Sequence, residues 1–224
     1  MKFTDRLYKK AKPIWDKSMQ HPFVQGIGHG NLDLEKFKFY MCQDYVYLID
    51  YSRLFALGSL KAHDLKTMGT FAKLLDATIN MEMDLHRAYA QRLGISANEL
   101  EATQPSPITL AYTGYMLNIS QRGSLAELVA AVLPCAWHYH ETGVELAKIP
   151  GSTEHEFYGQ WINMYRSEEF GELGLWLIEL MNELAEGKSE RELAHLEEVF
   201  LNTSRFEYMF WDMAWNQTMW PTDE

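Results

Sequence analysis

The chain has 224 residues, 47% hydrophobic and 23% charged, a balance that suits one globular domain with a sizeable core and excludes a disordered chain. Its net charge of −11 repels phosphate backbones and argues against nucleic-acid binding, since the short basic cluster Lys9, Lys10 and Lys12 lies beside Asp5 and Asp16. The longest apolar run, Leu128 to Trp137, is too short for a bilayer, the opening Met1-Lys2-Phe3-Thr4-Asp5-Arg6 lacks the apolar stretch of a signal peptide, and the two cysteines, Cys42 and Cys135, make no disulfide scaffold. A cytoplasmic protein with no membrane and no nucleic-acid partner is expected.

Apolar residues recur with a period of 3.6 along the chain, and helix punctuation separates the periodic segments. The spacing predicts a helix over 4–20, a short turn of helix over 22–28, and long helices over 33–62 and 64–93. A short turn over 97–102 follows, opened by Ser96 with Glu99 in a capping box. Ser106-Pro107 starts a helix over 107–122, Ser124 with Glu127 starts 125–149, and Thr153 with Glu156 starts 154–165. The last two helices cover 168–186 and 190–219, the second opened by Ser189 with Glu192. Gly94, Gly123, Gly151 and Gly187 fall where helices should stop. There is no strand or hairpin signal and no repeat, and Gln104-Pro105-Ser106-Pro107 reads as a turn rather than a linker. The expected fold is all-α, a single-domain helical bundle over 1–224.

The chemistry-bearing residues sit inside these helices. Pro134 precedes Cys135 in an otherwise apolar helix, and Tyr139 follows four residues later on the same face, with His138 at its flank. An internal proline removes a backbone hydrogen bond and kinks the helix. Cys135 there is either a small buried hydrophobe or a nucleophile beside proton-carrying groups. Asp44, Tyr47 and Tyr51 form one stripe of the 33–62 helix, spaced i, i+3, i+7. An inward aspartate needs a partner, and at the edge of an aromatic pocket it suits an amine-bearing heterocycle; the alternative is a tyrosine-rich core with Asp44 capping or exposed. Glu207 shares an apolar face with Phe210, Trp211 and Ala214. It is either paired with an arginine such as Arg205 or desolvated, with a raised pKa fit for acid–base work.

A metal reading is only half met. Di-iron bundles repeat Glu-x-x-His, whereas Glu82 and His86 are spaced i, i+4 and His138 and Glu141 run in reverse order. No HExxH, CxxC, GxSxG, GxGxxG or Walker pattern occurs.

The motifs together resemble the thiaminase II (TenA) family. They are His21-Pro22-Phe23, Gln43-Asp44-Tyr45-x-Tyr47-Leu48, Pro134-Cys135-x-x-x-Tyr139, Tyr165-x-Ser167-x-Glu169-Phe170 and Glu207-x-x-Phe210-Trp211-x-x-Ala214, in order along essentially the whole chain. The resemblance implies a haem-oxygenase-like fold without the haem, no cofactor, no metal, and a homotetramer. It implies hydrolysis of 4-amino-5-aminomethyl-2-methylpyrimidine to the 5-hydroxymethyl compound plus ammonia, and of thiamin to hydroxymethylpyrimidine and the thiazole alcohol. Carried over by residue, Cys135 would be the nucleophile, Glu207 the acid/base carboxylate and Asp44 the group that holds the pyrimidine. Tyr47, Tyr112, Tyr139, Tyr165 and Phe210 would line or support the pocket. Two other classes stay open: a haem-oxygenase-like metal-dependent redox protein, and a non-catalytic regulatory partner protein.

Overall fold

The computed structural model describes residues 2–222, and among them every regular element is helical. The α-helices are α1 (Phe3–Met19), α2 (Pro22–His29), α3 (Leu34–Lys61), α4 (Leu65–Ala77), α5 (Met83–Arg92), α6 (Ala97–Glu101), α7 (Pro107–Arg122), α8 (Leu125–Leu146), α9 (Gly159–Tyr165), α10 (Glu168–Ala185) and α11 (Glu190–Asn216). The capping boxes at Ser96, Ser124 and Ser189 all form. Asp33, Asp64 and Ser167 cap α3, α4 and α10, each accepting from a first-turn amide.

Two expectations need correction. The box of Thr153 with Glu156 does not form. Thr153 lies in a 3-10 turn, Ser152–Glu154, and α9 begins only at Gly159. Left-handed Gly151 (φ 80°) and extended His155 break the segment, and the His155 ring Nδ1 accepts from the Phe157 and Tyr158 amides at 3.2 and 3.3 Å. The helix predicted over 64–93 is interrupted by a π turn, Thr78–Glu82, which separates α4 from α5. A π turn widens the ladder by one residue and re-aims the side chains on it, and such turns cluster at functional sites.

Helix α8 lies at the centre. Leu128 to Leu133 have no exposure beyond a fraction of a per cent, as expected for a helix that is apolar all round. It packs on α3, α7, α9, α10 and α11, and each large side chain buried there contributes about 1.5–3 kcal/mol. Where α8 meets the end of α9, the contact is backbone to backbone. A Cβ on Gly143 would lie 2.7 Å from the Tyr165 carbonyl carbon and the Arg166 amide nitrogen.

Gly143→Ala should therefore destabilise the protein by about 1–3 kcal/mol through overpacking, despite the roughly 1 kcal/mol by which alanine favours a helix over glycine. A fall in the urea midpoint is expected. An unchanged or higher midpoint would mean that the α8–α9 contact yields freely.

Candidate active site

Helices α3, α4, α5, α8, α9 and α10 and the π turn enclose a cavity of about 210 Å³. Asp44, Tyr47 and Tyr51 reach it from α3 as one stripe, which is the inward face that their spacing predicts. Cys135 and Tyr139 reach it from α8, one turn apart, and Tyr165 from the end of α9. Ser167, Glu169 and Phe170 at the start of α10 complete that side. Cys135 is half-buried, and Cys42 is not in the wall.

Glu207, Tyr112 and Phe210 stand behind this wall rather than in it. Tyr47 separates them from the cavity. Its ring lies 5.2 Å from that of Tyr112 and 5.9 Å from that of Phe210. The Tyr112 hydroxyl donates to the Glu207 carboxyl. Glu207 is buried on the same face as Phe210, Trp211 and Ala214. Arg205 is exposed and donates to Asn202, so it does not neutralise Glu207.

Burial is the dominant electrostatic cause throughout the site. It pushes Glu207 up to about 8, against the hydrogen bond from Tyr112 and with help from the Asp44 charge. It pushes the Cys135 thiol well above its ordinary value, and the negative charges of Glu207, Asp44 and Glu82 act in the same direction. The Tyr47 hydroxyl, which has no partner of hydrogen-bond geometry in the protein, pulls the thiol partway back. In the ligand-free cavity the thiol is neutral.

Asp44 has a partner that sequence reasoning missed. His86 Nε2 lies 2.7 Å from Asp44 Oδ2, and both side chains are buried. The other ring nitrogen, Nδ1, lies 3.0 Å from the Glu82 carbonyl oxygen. A carbonyl can only accept, so Nδ1 carries a hydrogen. Nε2 then either donates to the Asp44 carboxylate as part of an imidazolium or accepts from a protonated Asp44. The pair has no net charge either way. Burial opposes the charged ring, yet the hydrogen bond and charge of Asp44 leave the His86 pKa raised overall. In the sequence, His86 stood out only as half of a metal pattern.

The other histidines near Cys135 point elsewhere. His138 is buried against Trp15, with ring centroids 5.1 Å apart, and desolvation lowers it to about 4. His140 Nδ1 is 2.9 Å from the Tyr165 carbonyl oxygen. Among the described residues, no three His, Cys, Asp or Glu side chains are grouped as a metal site.

The sequence model of the TENA/THI-4/PQQC family matches residues 8–217. The protein named aminopyrimidine aminohydrolase from Halalkalibacterium halodurans is 63% identical over 220 residues, covering 98% of each chain. The solved TenA homologue from P. horikoshii OT3 superposes with a TM-score of 0.88 at 30% identity, covering 96% of this chain and 99% of that one. A domain with a heme oxygenase-like fold from Shewanella denitrificans superposes at 0.77 with 16% identity, covering 96% and 92% of the two chains, and shares the fold.

The raised Glu207 pKa has a consequence for stability. The folded value of about 8 lies above the roughly 4.3 of an unfolded glutamate. The folded state therefore holds this proton to higher pH, and stability is lost as pH rises from about 4 to about 8. Glu207→Gln removes that loss. Its stability relative to wild type should rise between pH 5 and pH 8, by on the order of a few kcal/mol. Urea midpoints at the two pH values check this. A difference that stays constant would show Glu207 ionised in the folded protein.

Proposed function

This chain belongs to the TENA/THI-4/PQQC family, and we propose that it is a hydrolase of thiamin salvage, acting as one domain on a small aminopyrimidine. The substrate is 4-amino-5-aminomethyl-2-methylpyrimidine, and the products are the 5-hydroxymethyl compound and ammonia. Thiamin is a second substrate, split into hydroxymethylpyrimidine and the thiazole alcohol. The observation that carries this reading is a single thiol in a tyrosine-lined cavity that also holds Asp44. The volume of about 210 Å³ is below the ~300–1,000 Å³ of pockets for drug-sized ligands and suits one substituted ring.

The proposed steps follow from these groups. The ring lies between Tyr47, Tyr139 and Tyr165, and Asp44 accepts from its exocyclic amine. Cys135 gives up its thiol proton to solvent and adds to a polarised ring carbon through its sulfur, while Glu207, protonated near neutrality and hydrogen-bonded to Tyr112, supplies a proton to the ring nitrogen by relay through the Tyr47 hydroxyl that stands between them. The electrons pushed into the ring then expel the amine as ammonia, with the C–N bonding pair leaving on nitrogen. Water adds to the exocyclic carbon, the ring proton returns, and the sulfur leaves with restoration of aromaticity. A homotetramer in the cytoplasm completes the proposal. The exposed Leu60, Leu65 and Leu175 support an assembly.

Cys135→Ser should keep the fold and lose at least ~10²–10⁴-fold in turnover. The assay is release of ammonia together with the hydroxymethyl product by mass spectrometry. Cys42→Ser serves as the control and should remain active. Undiminished ammonia release by folded Cys135→Ser would rule out the thiol mechanism, and no release by the wild type would rule out the substrate. Asp44→Ala should weaken the aminopyrimidine complex by about 1.5–3 kcal/mol, the worth of a hydrogen bond to a charged group. Calorimetric titration reads this, and an unaltered Kd would restrict Asp44 to holding His86.

A further inference from the structure

Glu82 lines the same cavity as Cys135 and Asp44 and has no task in the chemistry above. It is the last residue of the π turn that interrupts the α4–α5 helix. On one side are Met81 and Leu85, exposed at the mouth, and on the other the buried Asp44–His86 pair. Glu82 is tied to that pair through its own carbonyl, which accepts from His86. The titratable groups around its carboxyl are Asp44 and Tyr51 of α3, His86 of α5, Cys135 of α8, Tyr165 of α9 and Glu169 of α10. No lysine or arginine lines the cavity among the described residues.

A cavity with this lining favours a cation, but its members differ in what they can offer one. The Asp44–His86 pair is neutral overall. Glu207 is walled off behind Tyr47, and Glu169 is exposed at the rim. We infer that Glu82 is the counter-ion for the protonated aminomethyl group of the substrate, a specificity-determining residue that separates the cationic amine from the neutral alcohol product. The inference rests on the aminopyrimidine hydrolysis proposed above.

The protonation states support it. Burial raises Glu82 to about 7, with the Asp44 charge adding to the rise and the His86 charge and the Thr78 hydroxyl opposing it. Near neutrality much of the empty-cavity population carries the acid form. Arrival of an alkylammonium favours the carboxylate, and the carboxyl proton passes to solvent. The amine must leave as ammonia when its C–N bond breaks, and an ionised Glu82 keeps it protonated until then. The alcohol product carries no charge, so Glu82 takes up a proton again and the product loses its ion pair.

The test is calorimetric titration at pH 7 with a Cys135→Ser background to stop turnover, in two buffers of different ionisation enthalpy. The ligands are 4-amino-5-aminomethyl-2-methylpyrimidine and its 5-hydroxymethyl counterpart. Glu82→Gln should weaken binding of the amine by at least ~10-fold, leave the alcohol within about twofold, and abolish the proton release that accompanies amine binding. Glu82→Asp should retain that proton release. Equal weakening of both ligands would reduce Glu82 to a structural role and overturn the inference, as would an unchanged amine affinity. If neither pyrimidine binds the Cys135→Ser background, the proposed function falls and this inference with it, a result distinct from binding without discrimination.

Discussion

Asp44 cannot be buried at 5% exposure without a partner, and the arrangement of the cavity follows from how that need is met. Burial strips most of its hydration, so an unpaired carboxylate there would cost several kcal/mol. His86 supplies the partner from a helix 42 residues further along, and the Glu82 carbonyl fixes which ring nitrogen faces Asp44. One hydrogen-bonded chain thus runs from α3 through α5 to the π turn. It holds the two walls of the cavity at a set distance, and it confines the net negative charge to groups outside the pair.

The backbone departs from regular helix on both sides of this chain. On one side, Pro134 cannot donate to the carbonyl four residues back, and Cys135 follows it within α8. The Tyr51 hydroxyl donates to the Val132 carbonyl at 3.3 Å, so a cavity-lining side chain of α3 is hydrogen-bonded to the α8 backbone just ahead of Pro134. On the other side, the π turn delivers Glu82. A straight helix presents a side chain to a given face every third or fourth residue. Two irregular helices facing each other can present a thiol and a carboxyl out of that register, and the space between them remains unfilled by packing.

Most of the bundle was legible because its signals are local. A serine with a glutamate three residues on satisfies first-turn amides wherever the chain goes next, and three of the four such pairs formed. The fourth, Thr153 with Glu156, did not form because Thr153 lies in a 3-10 turn that ends at extended His155, whose imidazole accepts from the later Phe157 and Tyr158 amides. Periodicity placed Asp44, Tyr47, Tyr51, Cys135 and Tyr139 on inward faces, and they line the cavity. It could not say which layer an inward residue occupies, so Phe210 and Glu207 gave the same signal although they stand behind the wall, and Tyr112 was named by the resemblance alone. His86 and the π turn were not legible. The pairing of His86 with Asp44 is tertiary, and a one-residue widening of a helical ladder leaves no pattern in apolar spacing.

The protonation of the cavity couples recognition to reactivity. The thiol, Glu207 and Glu82 are all shifted upward by burial and by the Asp44 charge, and the charges of Glu207 and Glu82 add to the rise of the thiol. Negative charge in this space therefore makes the thiolate harder to form, and near neutrality Glu207 is mostly protonated and Glu82 partly so. A neutral thiol is a poor nucleophile and a poor target for oxidants, and the carboxylates around Cys135 favour that form. Among the described residues no lysine or arginine stands in the wall to reverse this. The positive charge has to arrive with the ligand, and under the proposed reaction it does so on the amine. That charge lowers the cost of every anion near it, the Cys135 thiolate included. A neutral molecule of the same shape would fill the cavity without that effect. Discrimination at this site is therefore exercised in the step that ionises the sulfur as well as in binding.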